Sequence, residues 1–163
     1  MNNIQISKIM KNELRPVFRG VFPIDKLHKI GRKLPSAIII NTDKSTGRGK
    51  HWCGIYIQKD GKAIYFDSFG RKPEQYEVLE FLNNRCKSWY YNQIMLQNPL
   101  TAVCGGYCIW FLTYYHKRKD IRGFFKQFST NLLKNDYKVV NFIKHKFRVR
   151  VFLFPSIRFM LNK

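Results

Sequence analysis

Cys104 stands where a chain leaving a Pro-containing loop enters a helix-like stretch, and Gly105 and Gly106 follow it at once. A helix N-terminus presents unpaired N–H groups and partial positive charge, which lowers a thiol's pKa and favours the nucleophilic thiolate. The two glycines are poor helix formers, so their place in a first turn asks for a reason; room for a substrate backbone is one. A thiolate that cleaves an amide needs a base beside it, a group that orients the base, and donors for the oxyanion. His51 lies at a loop–strand junction, directly before Trp52. Asp67 closes a strand-like run in Tyr65-Phe66-Asp67-Ser68-Phe69-Gly70 and is suited to hold an imidazole tautomer. Gln97 precedes Asn98-Pro99 and carries a side-chain amide that can join the Cys104 N–H at an oxyanion. Each residue alone has a plainer reading: a small buried thiol, a satisfied His, a turn-forming Asp, a solvated Gln. Their joint order, base, acid, amide, thiol, points to a thiol endopeptidase with Cys104 as nucleophile.

These side chains need a scaffold. Ala37 to Ile40 reads as a buried strand between Pro35 and polar Asn41-Thr42-Asp43. Strands are expected over residues 52–58 and 63–69, joined by a Lys59-Asp60-Gly61-Lys62 hairpin turn. Such a hairpin puts His51 and Asp67 near its open ends on neighbouring strands. Pro73 opens a predicted helix with Tyr76, Leu79 and Leu82 at helical spacing, and Gln93 to Leu96 reads as a short strand. A helix is expected from Cys104 to about Lys117, with His116, Lys117 and Arg118 at its C-terminal end, where cations suit the dipole. Residues 120–134 read as helical, and Asn135 or Asp136 as the cap of a last helix with Val139, Val140, Ile143 and Phe147 inward. Residues 1–35 read as a loop-rich lead-in with room for one short helix, and 148–163 as a basic tail without an assigned place. Strands before helices predict an α+β domain, with a mixed or antiparallel sheet packed by helices.

A chain of 163 residues, 45% hydrophobic with 14 Phe and 9 Tyr, holds one core and therefore one domain over 1–163. Thirty Lys and Arg against ten Asp and Glu give a net charge of +20, a field that attracts polyanions, nucleic acid first among them. Lys44, Arg48 and Lys50 flank the His51 loop; Lys117, Arg118 and Lys119 form a run; Lys144, Lys146, Arg148, Arg150 and Arg158 crowd the C-terminal region. The cysteines at 53, 86, 104 and 108 have neither a disulfide framework nor paired CxxC spacing, so no metal is expected and a reducing compartment is. No secretory leader or membrane span is read from the sequence, which predicts an intracellular monomer that acts on proteins and not on membranes.

Asn41-Thr42, His51-Trp52, Phe66-Asp67-Ser68-Phe69-Gly70 and Gln97-Asn98-Pro99-Leu100-Thr101-Ala102-Val103-Cys104-Gly105-Gly106-Tyr107-Cys108 together resemble the adenovirus-type cysteine proteinases, the adenain family, found also in Polinton or Maverick elements and related viruses. The resemblance covers roughly residues 15–147, and the order His, acid, Gln, Cys belongs to that group, which takes in proteases of ubiquitin-like modifiers. It implies a Cys helix buried against a sheet and cleavage of viral precursor proteins at Gly-containing sites, in the host nucleus or the virion. Cys104 would be the nucleophile, His51 the base, Asp67 the orienting acid and Gln97 the oxyanion donor. The adenoviral acid is Glu, one methylene longer than Asp67. DNA and a short viral peptide would be activators rather than chemical cofactors. Cys86, in Asn84-Arg85-Cys86, resembles the peptide-linking Cys of the adenoviral enzyme in its spacing before Gln97, which implies attachment of such a peptide there; the plainer reading is a buried or half-exposed Cys at a helix end. Two alternatives stay open: a protease of ubiquitin-like modifiers, and a non-enzymatic basic protein that packages nucleic acid.

Overall fold

A computed structural model describes residues 1–154, and the expected tail beyond Phe154 lies outside the described residues. Its centre is a five-stranded sheet with the strands in chain order. Strand β1 (Phe18–Pro23) runs parallel to β2 (Ser36–Asn41); β2, β3 (Trp52–Ile57) and β4 (Lys62–Phe66) are antiparallel; β5 (Ser88–Tyr91) runs parallel to β4. The turn between β3 and β4 is the expected one, with Gly61 at φ 83°, a conformation that glycine adopts without a Cβ penalty.

Both sheet faces are covered, which is why β2 reads as an unbroken apolar run and not an alternation. Ala37, Ile39, Tyr56, Ile64 and Phe66 face helices α1 (Asn3–Glu13), α3 (Cys104–Arg118), α4 (Ile121–Phe125) and α5 (Leu132–Phe147). Ile38, Ile40, Cys53, Ile55 and Tyr65 face a short 3-10 helix (Ile24–Lys29) and α2 (Tyr76–Arg85). The architecture is the α+β fold predicted from the order of elements. Helix α3 is buried along nearly its whole length, as a central helix hydrophobic all round must be.

Several local expectations are corrected. Residues 1–35 are not a loose lead-in. Ile6, Ile9 and Met10 give α1 its buried stripe, and Asn2 with Gln5 closes a capping box at its start. Gly20 and Pro23, within the stretch expected to be loop-rich, sit in an edge strand held by parallel pairing to β2. The strand expected at Gln93–Leu96 is absent; β5 lies earlier, at Ser88–Tyr91. Helix α2 begins at Tyr76, not at Pro73, and turns Val78, Phe81 and Leu82 inward while Tyr76 faces solvent. Within residues 120–134 only Ile121–Phe125 forms a helix before α5 starts, and α5 is capped by Asn131. Asn135 and Asp136 therefore lie inside α5, both buried. The tail is anchored as far as it is described: Val151 is buried, and the Leu153 carbonyl accepts the Ala102 N–H at 2.7 Å.

The reason for Gly105-Gly106 also changes. A Cβ on Gly105 would lie 3.0 Å from Ile6 Cδ1, and one on Gly106 only 2.7 Å from Val139 Cγ1. The glycines thus admit α1 and α5 to the first turn of α3, and the neighbours at their Cβ positions are protein, not substrate. Gly106→Ala is expected to destabilise the protein by about 1–3 kcal/mol through overpacking. A denaturant titration checks this, and an unchanged midpoint would show that Val139 has slack.

Candidate active site

Gly54 pairs with Phe66 at the last rung of the β3–β4 ladder. Continuing that antiparallel register places Cys53 opposite Asp67 and His51 opposite Phe69. The geometry agrees: the His51 and Phe69 rings stack with centroids 4.9 Å apart, and His51 Nε2 lies 2.7 Å from Asp67 Oδ1. Both members are largely shielded, His51 being 9% exposed and Asp67 3%. A carboxylate only accepts, so Nε2 carries the donated proton and Nδ1 is the nitrogen left for the thiol.

Asp67 is itself held. Its Oδ1 also accepts the Phe69 N–H at 2.8 Å, and Oδ2 faces Arg71 Nε at 3.5 Å. Asn92 clamps its backbone from both sides, accepting the Asp67 N–H at 2.8 Å and donating to its carbonyl at 2.6 Å. The Arg71 guanidinium lies over Phe69, 4.8 Å from the ring centroid, closing a stack of Arg71, Phe69 and His51.

Cys104 opens α3 after Val103, and no side chain caps that N-terminus. Burial alone would push the Cys104 thiol up, but its hydrogen bond to His51, the imidazolium charge and the N–H groups of Trp52 and Gly105 bring it below its ordinary value. Burial alone would likewise push His51 down, and hydrogen bonds to Asp67, Cys104 and Cys53 raise it well above the usual histidine range. The pair therefore favours thiolate and imidazolium. The other three cysteines are all raised: burial dominates at Cys53 and Cys108, and Cys86 is pushed up to about 11. One thiol of four is lowered.

Gln97 is buried on the loop before α3. Its Oε1 accepts the Ser68 hydroxyl at 2.7 Å, and its Nε2 donates to the Thr101 carbonyl at 2.9 Å. A carbonyl cannot donate, so Thr101 settles which end of the amide is nitrogen. The same nitrogen also has the Thr101 hydroxyl oxygen at 3.3 Å; the two Thr101 oxygens can share one amide hydrogen, which leaves the second for another acceptor.

Cys53 was not singled out from the sequence, yet strand alternation puts it on the same side as His51 and Asp67. Ligand atoms of the three lie within 4.8 Å of one another, the one group with metal-binding chemistry among the described residues. Two of those atoms, His51 Nε2 and Asp67 Oδ1, are already joined by the 2.7 Å hydrogen bond. Cys86 is half-buried at the C-cap of α2. Sequence reading gave no part in the site to Arg71, Asn92, Thr101 or Asp136, the last of which read only as a candidate helix cap, because nothing local distinguishes them from surface polar residues. Phe69 and Ser68 were visible only as neighbours of Asp67.

The fold has counterparts among solved structures. The selenomethionine crystal structure of the ASFV pS273R protease superposes with TM-score 0.56 at 16% identity, over 85% of this chain and 66% of that one. ChlaDub1 from Chlamydia trachomatis, solved at 1.7 Å, superposes with TM-score 0.51 at 13% identity, over 88% of this chain and 75% of that one. The chain shares the α+β fold of both structures. No protein-family model and no curated protein sequence matches it.

Proposed function

We propose that this chain is a cysteine endopeptidase in which Cys104 is the nucleophile, His51 the base and acid, Asp67 the orienting carboxylate and Gln97 the oxyanion donor. What carries the reading is that Cys104, alone of four cysteines, is drawn below its ordinary pKa, and by the same imidazole that Asp67 holds at 2.7 Å. The Cys104 thiolate adds to the scissile carbonyl carbon, and the carbonyl electrons move onto oxygen. That oxyanion is met by the Cys104 N–H and the free amide hydrogen of Gln97. Protonated His51 then gives its Nδ1 proton to the leaving amine, the C–N bond breaks, and a thioester remains. Neutral His51 takes a proton from water, the resulting hydroxide adds to the thioester, and Cys104 departs as thiolate. Asp67 keeps the imidazole oriented throughout by accepting from Nε2.

The proposed substrates are precursor proteins of a virus or virus-like element, cut at Gly-containing sites, in keeping with the resemblance of the His-Trp and Gln-to-Cys segments. A second reading, hydrolysis of ubiquitin-like modifiers, shares the same His, acid, Gln, Cys order. Fluorogenic peptides with Gly near the scissile bond, set beside modifier–fluorophore conjugates, separate the two. The first reading requires the peptides to be cut and the conjugates to be poor substrates; the reverse result would replace it with the second.

Nucleic acid is the proposed activator. Lys44, Arg48 and Lys50 are exposed on the loop that leads into His51, and Lys117, Arg118 and Lys119 on the end of α3. Phosphate contacts release counterions, so binding should weaken by at least about tenfold between roughly 50 and 200 mM salt. A filter-binding series run with the peptide assay tests both points. Binding that ignores salt, or no binding in low salt, would sink the proposal.

A further inference from the structure

We infer that Asp136 is a positioning residue for the oxyanion side of the site, tying the loop that carries Gln97 to the first turn of the Cys104 helix. This rests on the reading of Gln97 as an oxyanion donor. Asp136 is fully buried within α5. Its Oδ2 accepts the Asn98 N–H at 3.1 Å and the Thr101 hydroxyl at 2.8 Å, and its Oδ1 accepts the Tyr107 hydroxyl at 2.8 Å.

Those three donors bracket the site. Asn98 and Thr101 lie on the loop between Gln97 and Cys104, and Tyr107 lies one turn into α3. The Thr101 hydroxyl has one hydrogen and two acceptors in reach, the Asn98 carbonyl and Asp136, both at 2.8 Å. The carboxylate is the stronger acceptor, so the hydrogen goes to Asp136. The Thr101 oxygen then faces Gln97 Nε2 with a lone pair at 3.3 Å, beside the Thr101 carbonyl that already holds that nitrogen. A continuous chain thus runs from Asp136 through Thr101 to Gln97 and on to Ser68, every link buried.

The position is costly for a carboxylate. Burial pushes Asp136 above the usual carboxylate range, while the three donors pull it back, and no cation pairs with it among the described residues. A buried acid satisfied only by donors on the loop and helix flanking the nucleophile holds those two segments in one arrangement. Asn135, next to it, reinforces the strut by donating to the Leu96 carbonyl at 3.2 Å.

The test compares Asp136→Ala, Asp136→Asn, Thr101→Val and Gln97→Ala with wild type by two rates. One is kcat for peptide hydrolysis, which develops an oxyanion. The other is alkylation of Cys104 by iodoacetamide, located by mass spectrometry, which needs the thiolate but develops no oxyanion. Asp136→Ala should lower kcat about 10- to 100-fold, less than outright loss of an oxyanion donor, with little change in KM and in alkylation. Asp136→Asn should stay within about threefold of wild type, since its amide oxygen serves Asn98 and Thr101 while the Tyr107 hydroxyl turns to the Leu96 carbonyl, 2.9 Å away. Thr101→Val should repeat the Asp136→Ala pattern more mildly, and decides the matter if Asp136→Ala does not fold. The inference is overturned if kcat and alkylation fall together, or if folded Asp136→Ala, or Thr101→Val in its place, keeps wild-type kcat. If Gln97→Ala keeps full kcat, the oxyanion reading of Gln97 is what has failed.

Discussion

Cys104→Ala should reduce peptide hydrolysis by about a million-fold, to background, and remove the most rapidly labelled thiol. The size follows from the mechanism: without sulfur there is no thioester, and the oxyanion donors have no intermediate to stabilise. Three thiols remain in the variant, but burial raises all three, so none can substitute. Folding should survive, because Ala fills most of the Cys volume and suits a helix. Thermal unfolding close to wild type, alongside lost cleavage, separates chemistry from structure. Retained cleavage in a preparation free of other proteases would refute the mechanism. Retained labelling at the same rate would mean that Cys86, the half-buried thiol on α2, had been the reactive one.

The second large effect concerns His51. Burial is the largest influence on both partners, and on Cys104 it acts against ionisation; the imidazolium and its hydrogen bond overcome it. Removing His51 leaves the opposing influence in place. His51→Ala should therefore move the midpoint of Cys104 alkylation from below the ordinary thiol value to above it. At neutral pH the alkylation rate should fall in proportion to the thiolate fraction, about tenfold for each pH unit by which the new midpoint exceeds the working pH. Hydrolysis should fall further, by about 10²- to 10⁴-fold beyond the loss of thiolate, because the leaving amine also loses its proton donor. The sign is fixed by the charges: lowering pH protonates Cys104 and switches wild type off, and the variant switches off at higher pH. A pH series of iodoacetamide rates reads this directly. Equal midpoints would mean that the helix N-terminus, and not His51, activates the thiol.

How much of this was visible in the chain itself depends on the range of the forces involved. Short apolar runs and an Asp-Gly turn are local, and they were enough to place β2, β3, β4 and their hairpin. The order of His51, Asp67, Gln97 and Cys104 was read only as a joint pattern, because each residue alone has a plainer reading at its element end. The β5 segment was misplaced by a few residues, since parallel pairing to β4 is a non-local choice that a four-residue strand does not announce. The α5 cap was misread for a similar reason. Asn131 and Asn135-Asp136 are equally good cap residues in sequence, and only the burial of Asp136 against the Cys104 loop shows which pair has other work.

The sequence by itself therefore determined which residues can do thiol chemistry and the class of fold that carries them, because propensity, pattern and residue chemistry are written residue by residue. Tertiary structure alone decided what draws the Cys104 thiol below its ordinary pKa, why two glycines follow it, and what holds the loop that precedes it. Those properties arise from packing and desolvation between segments far apart in the chain: β3 against α3, α1 and α5 against Gly105-Gly106, and Asp136 against Thr101.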